Sequence, residues 1–156
     1  MIAIKAIYVA ILALAAYSDA RRFTIPNLYP LFLLLLGGIA WFAGFPFVAP
    51  LWSHLLHFGI ALGIGMLLFH FGWFGGGDVK LYAAVAWWFG LSNGWLLLLA
   101  VSLSGAVVVV LVVFLRLMST LLDSADRTKG GFRTRRIAYG LAIATGGIGS
   151  LLWTYP

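Results

Sequence analysis

The 156-residue chain is 63% hydrophobic and only 9% charged, whereas an average soluble domain is about 25% charged. This composition excludes an ordinary soluble domain and predicts an integral membrane protein that is all-α. The net charge of +6 does not indicate nucleic-acid binding, because the basic residues stand at the ends of apolar runs, where they anchor helices at the membrane surface. Cysteine is absent, which excludes disulfides and thiolate metal sites.

Polar breaks divide the chain into apolar runs that predict a bundle of six transmembrane helices, forming a single domain over residues 1–156. We expect the first helix to remain uncleaved, although its end resembles a signal-peptide cleavage site. In chain order, the predicted helices cover residues 1–17, 28–45, 51–70, 78–89, 95–118 and 137–153.

Glycines within the second and third predicted helices indicate close packing between helices, because small residues let two backbones approach each other. These glycines are Gly37, Gly38, Gly59, Gly63 and Gly65.

The fourth predicted helix is the shortest, and it follows a run of three glycines. Residues 78–89 rise only about 18 Å as a helix, against a hydrocarbon core of about 30 Å. If this helix reaches the far membrane face, Asp78 begins inside the membrane. The preceding glycines would then be irregular backbone at membrane depth, which is tolerated only where it packs in protein or lines a wet cavity.

The positions of the basic residues predict the orientation of the chain. Nearly all of them follow the first, third or fifth predicted helix, and only Lys5 falls on the other side. The positive-inside rule therefore places the N-terminus outside the cytoplasm and all four aspartates in the cytoplasmic half of an inner-membrane protein. The residues on the cytoplasmic side are Arg21, Arg22, Lys80, Arg116, Arg127, Lys129, Arg133, Arg135 and Arg136.

Asp19 and Asp78 are the candidate catalytic residues, since each lies at the cytoplasmic junction of two predicted helices. A pair of carboxylates that share a proton can hydrolyse a peptide, one as general base on water and the other as the acid that polarises the carbonyl. Helix dipoles favour Asp78 as the base and Asp19 as the acid. Arg21 and Lys80 could reverse this assignment, and it remains open.

Each aspartate also has a structural interpretation. Asp78 could cap the N-terminus of its helix, and Asp19 could form a surface ion pair with Arg21 or Arg22. An ionisable residue at membrane depth is costly, however, and so indicates function. Two other functions remain possible: a non-enzymatic proton or ion pathway, which would require connection to both membrane faces, and a structural membrane subunit.

Other polar residues are given structural roles. His54 and His57 stand three residues apart, but no third ligand is evident, so we expect no metal and no cofactor. The polar segment of residues 119–136, which contains Asp123 and Asp126, is expected to contact anionic lipid rather than a substrate. We expect Lys80 to anchor at the headgroup boundary rather than to transfer protons.

Three segments resemble the type IV prepilin peptidases, a family of intramembrane aspartyl proteases. Residues 18–21 (Ser-Asp-Ala-Arg), followed by Ile25-Pro26-Asn27, are similar to the family's first aspartate motif. Residues 75–80 (Gly-Gly-Gly-Asp-Val-Lys) are similar to its second, the GxGD signature. Residues 137–144 (Ile-Ala-Tyr-Gly-Leu-Ala-Ile-Ala) are similar to its final-helix segment, with Ala138 and Leu141 in place of two prolines.

The resemblance implies an endopeptidase that removes the short basic leader of a prepilin at the cytoplasmic membrane face, without a metal. Larger members carry a cysteine-containing N-terminal region and also methylate the product. This chain has neither that region nor any cysteine, so it resembles the short peptidases of Tad/Flp-type pilus systems, and methylation is not expected. The resemblance implies Asp19 and Asp78 as the catalytic pair, supported by Gly75, Gly76, Gly77, Lys80, Arg21, Pro26 and Asn27.

Overall fold

The computed structural model describes residues 1–122 and 139–156, and within them the chain is helical with no strands. This confirms the all-α prediction. A short 3-10 helix, Leu91–Asn93, precedes the fifth α-helix. The α-helices are α1 (Ile2–Arg22), α2 (Leu28–Phe42), α3 (Leu51–His70), α4 (Gly76–Ala86), α5 (Gly94–Leu122) and α6 (Tyr139–Thr154).

The prediction of six membrane spans is not confirmed. In the described residues, three segments are long and apolar enough to cross a membrane, namely Ile2–Arg22, Leu51–His70 and Leu91–Leu115. Leu28–Phe42 is a shorter apolar helix. These segments make the chain an integral membrane protein.

The first helix is longer than predicted, and this changes the setting of Asp19. Helix α1 continues to Arg22 and ends at Phe23, which adopts a left-handed conformation with φ 52°. The Phe23 N–H donates to the Asp19 carbonyl over 2.8 Å and so satisfies one terminal carbonyl of the helix. Asp19 therefore lies within the last turn of α1, at the C-terminal end of the helix.

Helix α4 is the buried centre of the bundle. It packs against α2, α3 and α6, and residues 83–86 are fully buried together with Leu81. At 11 residues it rises about 16 Å and is the shortest of the described α-helices. Neighbouring helices approach it closely, as at Gly65 of α3, where a Cβ would lie 2.6 Å from a methyl group of Val79.

Two histidines of α3 bind the carbonyl groups just beyond the end of α4. Nδ1 of His54 is 3.0 Å from the Trp87 carbonyl, and Nδ1 of His57 is 2.9 Å from the Phe89 carbonyl. Because a carbonyl only accepts, each ring nitrogen is the donor. These bonds satisfy carbonyls that a helix end leaves unpaired and fix α4 at one depth against α3. The described residues contain no group of three or more potential metal-ligating side chains.

Candidate active site

Asp19 is held by a residue of the last helix. Its carboxylate is buried and accepts a hydrogen bond from the Gly140 backbone N–H, with 2.7 Å between the nitrogen and Oδ2. Gly140 lies in the first described turn of α6, 121 residues further along the chain. The packing of α1 against α6 brings the two residues together, and the amide supplies a charge-assisted donor to the carboxylate.

Gly140 is the functional residue to which sequence reasoning assigned no role. A Cβ at this position would lie 2.8 Å from Asp19 Oδ2, 3.0 Å from Asp19 Cβ and 2.9 Å from Ile25 Cδ1. Only a residue without a side chain allows this approach. The resemblance of residues 137–144 to a family segment marked the position in the sequence, but gave no contact for it.

Asp78 is the third residue of α4, and Gly75 is the residue that caps the helix. The structural interpretation of Asp78 as the N-cap is therefore wrong, and the helix begins two residues before its predicted start at Asp78. The Asp78 carboxylate folds back over the start of the helix, because a Cβ at Gly75 would lie 2.6 Å from Asp78 Oδ2. Within the described residues, the other carboxylate oxygen, Oδ1, is buried and has no hydrogen-bond partner.

The two aspartates belong to one site. The charge of Asp19 acts on the Asp78 carboxyl group, so the two groups interact electrostatically. Ile25 packs between the segments that carry them, because Cβ atoms at Gly77 and Gly140 would lie 3.1 Å from its Cβ and 2.9 Å from its Cδ1. Two acidic groups in one desolvated site favour a state in which they share a proton.

The three glycines before Asp78 differ in what surrounds them. A Cβ at Gly75 would lie 2.6 Å from Asp78 Oδ2, and one at Gly77 would lie 3.1 Å from Ile25. A Cβ at Gly76 would meet only the Phe69 ring, at 3.4 Å or more, which is an ordinary contact. A side chain at the first position would therefore displace the Asp78 carboxylate, one at the third would press on Ile25, and the second position is free.

Lys80 links the two aspartate motifs from outside the site. Its ammonium group donates to the Asn27 side-chain oxygen over 3.1 Å, and both side chains are exposed. This bond connects α4 to the segment between α1 and α2. Pro26 is exposed in the same segment, and its carbonyl accepts from the Tyr29 N–H.

Arg21 does not contribute to the carboxylate pair in the described part of the chain. Its guanidinium group lies over the Tyr17 ring, 4.9 Å from the ring centre, and the side chain is exposed. The partner of Asp19 is the Gly140 amide, so the structural interpretation of Asp19 as a surface ion pair is wrong. Asp123, Asp126, the basic residues from 127 to 136, Ile137 and Ala138 lie outside the described residues.

Comparison with known proteins identifies the family. A family model described as the type IV leader peptidase family matches residues 6–123, a range that includes both aspartate motifs but not α6. No curated protein and no solved structure gives a significant match. The match covers well over half of the chain. The chain therefore belongs to the type IV leader peptidase family.

Proposed function

We propose that this peptidase is an aspartic endopeptidase with Asp19 and Asp78 as its catalytic pair. The observation that carries the proposal is that two carboxyl groups interact at one end of the bundle, where Gly140 binds Asp19 and one oxygen of Asp78 is buried and unpaired among the described residues. A buried acceptor without a partner is costly, and such a group is typical of a site that binds water or substrate.

The arrangement supports hydrolysis by shared acid and base. One carboxylate takes a proton from a water molecule while that water attacks the carbonyl carbon of the scissile bond. The other carboxyl group, protonated at that moment, donates to the carbonyl oxygen. Collapse of the intermediate breaks the C–N bond and transfers a proton to the leaving amine, giving a new carboxyl terminus and a new amino terminus.

The assignment of base and acid stays open. Helix dipoles favour Asp78 as the base only if the end of α1 is the one helix terminus that acts on Asp19. Asp19 lies in the last turn of α1, but it also accepts a backbone N–H from the first described turn of α6. This donor favours the ionised form of Asp19 and opposes the effect of the α1 dipole, so the dipole argument does not separate the two carboxylates.

The proposed substrate is a pilin precursor of the Flp-like kind, cut after its short basic leader. The family implies a pilin precursor, and the absence of cysteine favours the short form of the enzyme. We place the site at the cytoplasmic face of the inner membrane, with the N-terminus outside and residues 1–156 as one peptidase domain. The basic residues beside Asp19 and after Asp78 support this orientation.

The proposal is tested by co-expressing a pilin precursor with the wild type, Asp19→Asn or Asp78→Asn, and following the loss of the leader on a gel. Asparagine keeps the size of each side chain and removes its acid–base function. Asp123→Asn makes the same chemical change at a carboxylate outside the pair. Processing by the wild type and Asp123→Asn alone, at equal membrane levels, supports the pair. Processing by either of the other variants would instead favour an ion pathway or a structural subunit.

A further inference from the structure

An apolar cleft of about 500 Å³ opens between α3 and α5. Helix α3 packs on α4 and α5 packs on α6, and these two outer helices make no substantial contact with each other in the described part of the chain. Buried residues of the inner helices form the floor, among them Val79 of α4 with Ala142 and Ile143 of α6. Ile64 on one wall and Leu98 on the other are 56% and 57% exposed.

Two residues of the cleft lining neighbour the glycines that lie against the two aspartates. Phe74 and Tyr139 line the cleft, and their ring centres are 5.7 Å apart. Each of these aromatic residues directly precedes a glycine that touches a catalytic carboxylate: Phe74 precedes Gly75, and Tyr139 precedes Gly140. A chain that lies along the cleft and passes these two rings therefore arrives at the carboxylates.

We propose that the cleft between α3 and α5 binds the apolar helical segment of the substrate, next to the bond that is cut. This inference rests on the proposed function and adds the location and chemistry of the substrate's membrane segment. The walls and floor suit the apolar face of a helix laid into a groove, and the lining contains no Lys, Arg, Asp or Glu.

The position of the cleft beside the two aspartates favours the substrate as its occupant. Between His57 and Leu68 the α3 wall rises about 16 Å, enough for about three turns of a bound helix. A lipid chain or a second copy of this protein would fill apolar space equally well. Neither would place a peptide bond beside Asp19 and Asp78. The test therefore identifies the molecule that occupies the cleft.

The experiment uses single cysteines, since the natural chain has none and gives no background labelling. Ser102→Cys on α5 and Ile64→Cys on α3 lie in the cleft. Leu103→Cys and Met66→Cys lie on the same helices, outside the cleft lining, and are 66% and 58% exposed. Each purified variant, carrying Asp78→Asn to prevent turnover, is labelled with benzophenone maleimide, mixed with a purified pilin precursor and irradiated, and the adducts are identified by mass.

We expect precursor adducts from the two cleft positions at about tenfold the yield of the two control positions, since a bound segment contacts only the cleft face. Equal yields from all four positions, adducts with lipid or a second copy alone, or no precursor adduct would overturn the inference. Cleavage of the same precursor by the wild type is measured in parallel. If the wild type cuts the precursor but the cleft labels do not capture it, the cleft proposal fails while the peptidase proposal stands. If the wild type does not cut it, the proposed function itself fails.

Two phenylalanine substitutions, compared by their KM and kcat values, test the cleft independently. Ser102→Phe fills the cleft, whereas Leu103→Phe places the same ring at an exposed position of α5 outside the cleft lining. For the full precursor, the first variant should raise KM by about tenfold with kcat little changed, because it removes binding that is equal in the ground and transition states. The second variant should leave both constants within about twofold of the wild type. An unchanged KM in Ser102→Phe would contradict the inference.

Discussion

Replacing Gly140 by alanine tests whether the last helix positions a catalytic carboxylate. The added Cβ would lie 2.8 Å from Asp19 Oδ2, where an ordinary contact begins at 3.4 Å. The carboxylate or α6 must therefore move by roughly 0.6 Å, and a misplacement of about 1 Å in an active site can cost about 10²-fold in rate. A hydrogen bond to a charged group contributes about 1.5–3 kcal/mol, and losing that amount from the transition state lowers the rate by roughly ten- to a hundredfold. We expect kcat for precursor cleavage to fall by roughly ten- to a hundredfold.

The matched control is Gly149→Ala on the same helix, where a Cβ meets nothing within 4 Å. Both variants should be purified in detergent and compared for kcat, KM and the temperature of unfolding. Ile25→Val, combined with Gly140→Ala, removes the Ile25 Cδ1 atom and so separates that contact from the displacement of Asp19. A kcat for Gly140→Ala equal to that of Gly149→Ala would refute the role of Gly140.

Three further variants test the surroundings of the site. Gly75→Ala should lower kcat by about tenfold or more, because its Cβ would lie 2.6 Å from Asp78 Oδ2, whereas Gly76→Ala should remain within about twofold. Lys80→Met should reduce cleavage by only a few-fold, and Lys80→Gln should restore it, since an amide can still donate to Asn27 across an exposed contact. His57→Leu should lower the free energy of unfolding by about 1–3 kcal/mol, because it leaves the buried Phe89 carbonyl unpaired.

Each of these variants has its own control and contrary result. Equal losses in Gly75→Ala and Gly76→Ala, measured as rates of precursor cleavage, would contradict the requirement for glycine at the first position alone. A loss in Lys80→Gln as large as that in Lys80→Met would point to the charge and not to the hydrogen bond. Thermal or denaturant unfolding of His57→Leu is compared with His70→Leu, an exposed histidine of the same helix. Similar stabilities would show that the carbonyl contact contributes little.

Much of the secondary structure could be read from the sequence, because hydropathy and helix breaks are local properties. The predicted bounds of α3, residues 51–70, agree with the structure. The ends of α1 and α4 were less accurate, since a left-handed Phe23 and a glycine cap extend these helices into segments that composition marks as loops. The number of spans stays a prediction, because apolar composition does not distinguish a buried central helix such as α4 from one that faces lipid.

Close packing at glycines was also predicted from the sequence and is decided by the tertiary structure. The sequence predicted close packing at Gly37, Gly38, Gly59, Gly63 and Gly65 alike. In the structure a Cβ at Gly37 or Gly65 would overlap α4, but at Gly38, Gly59 and Gly63 it would meet nothing within 4 Å. A glycine signals that close approach is possible, and only the neighbouring helix decides where it occurs.

The sequence by itself determined the all-helical membrane class, the two aspartate motifs and their nomination as a pair. These follow from composition and from short contiguous segments. The tertiary structure decided that Asp19 is bound by Gly140, that Ile25 packs between the segments that carry the two aspartates, and that a cleft opens between α3 and α5. Such contacts join residues far apart in the chain. They depend on which helix faces pack together, and local hydrophobic pattern does not specify this when nearly every face is apolar.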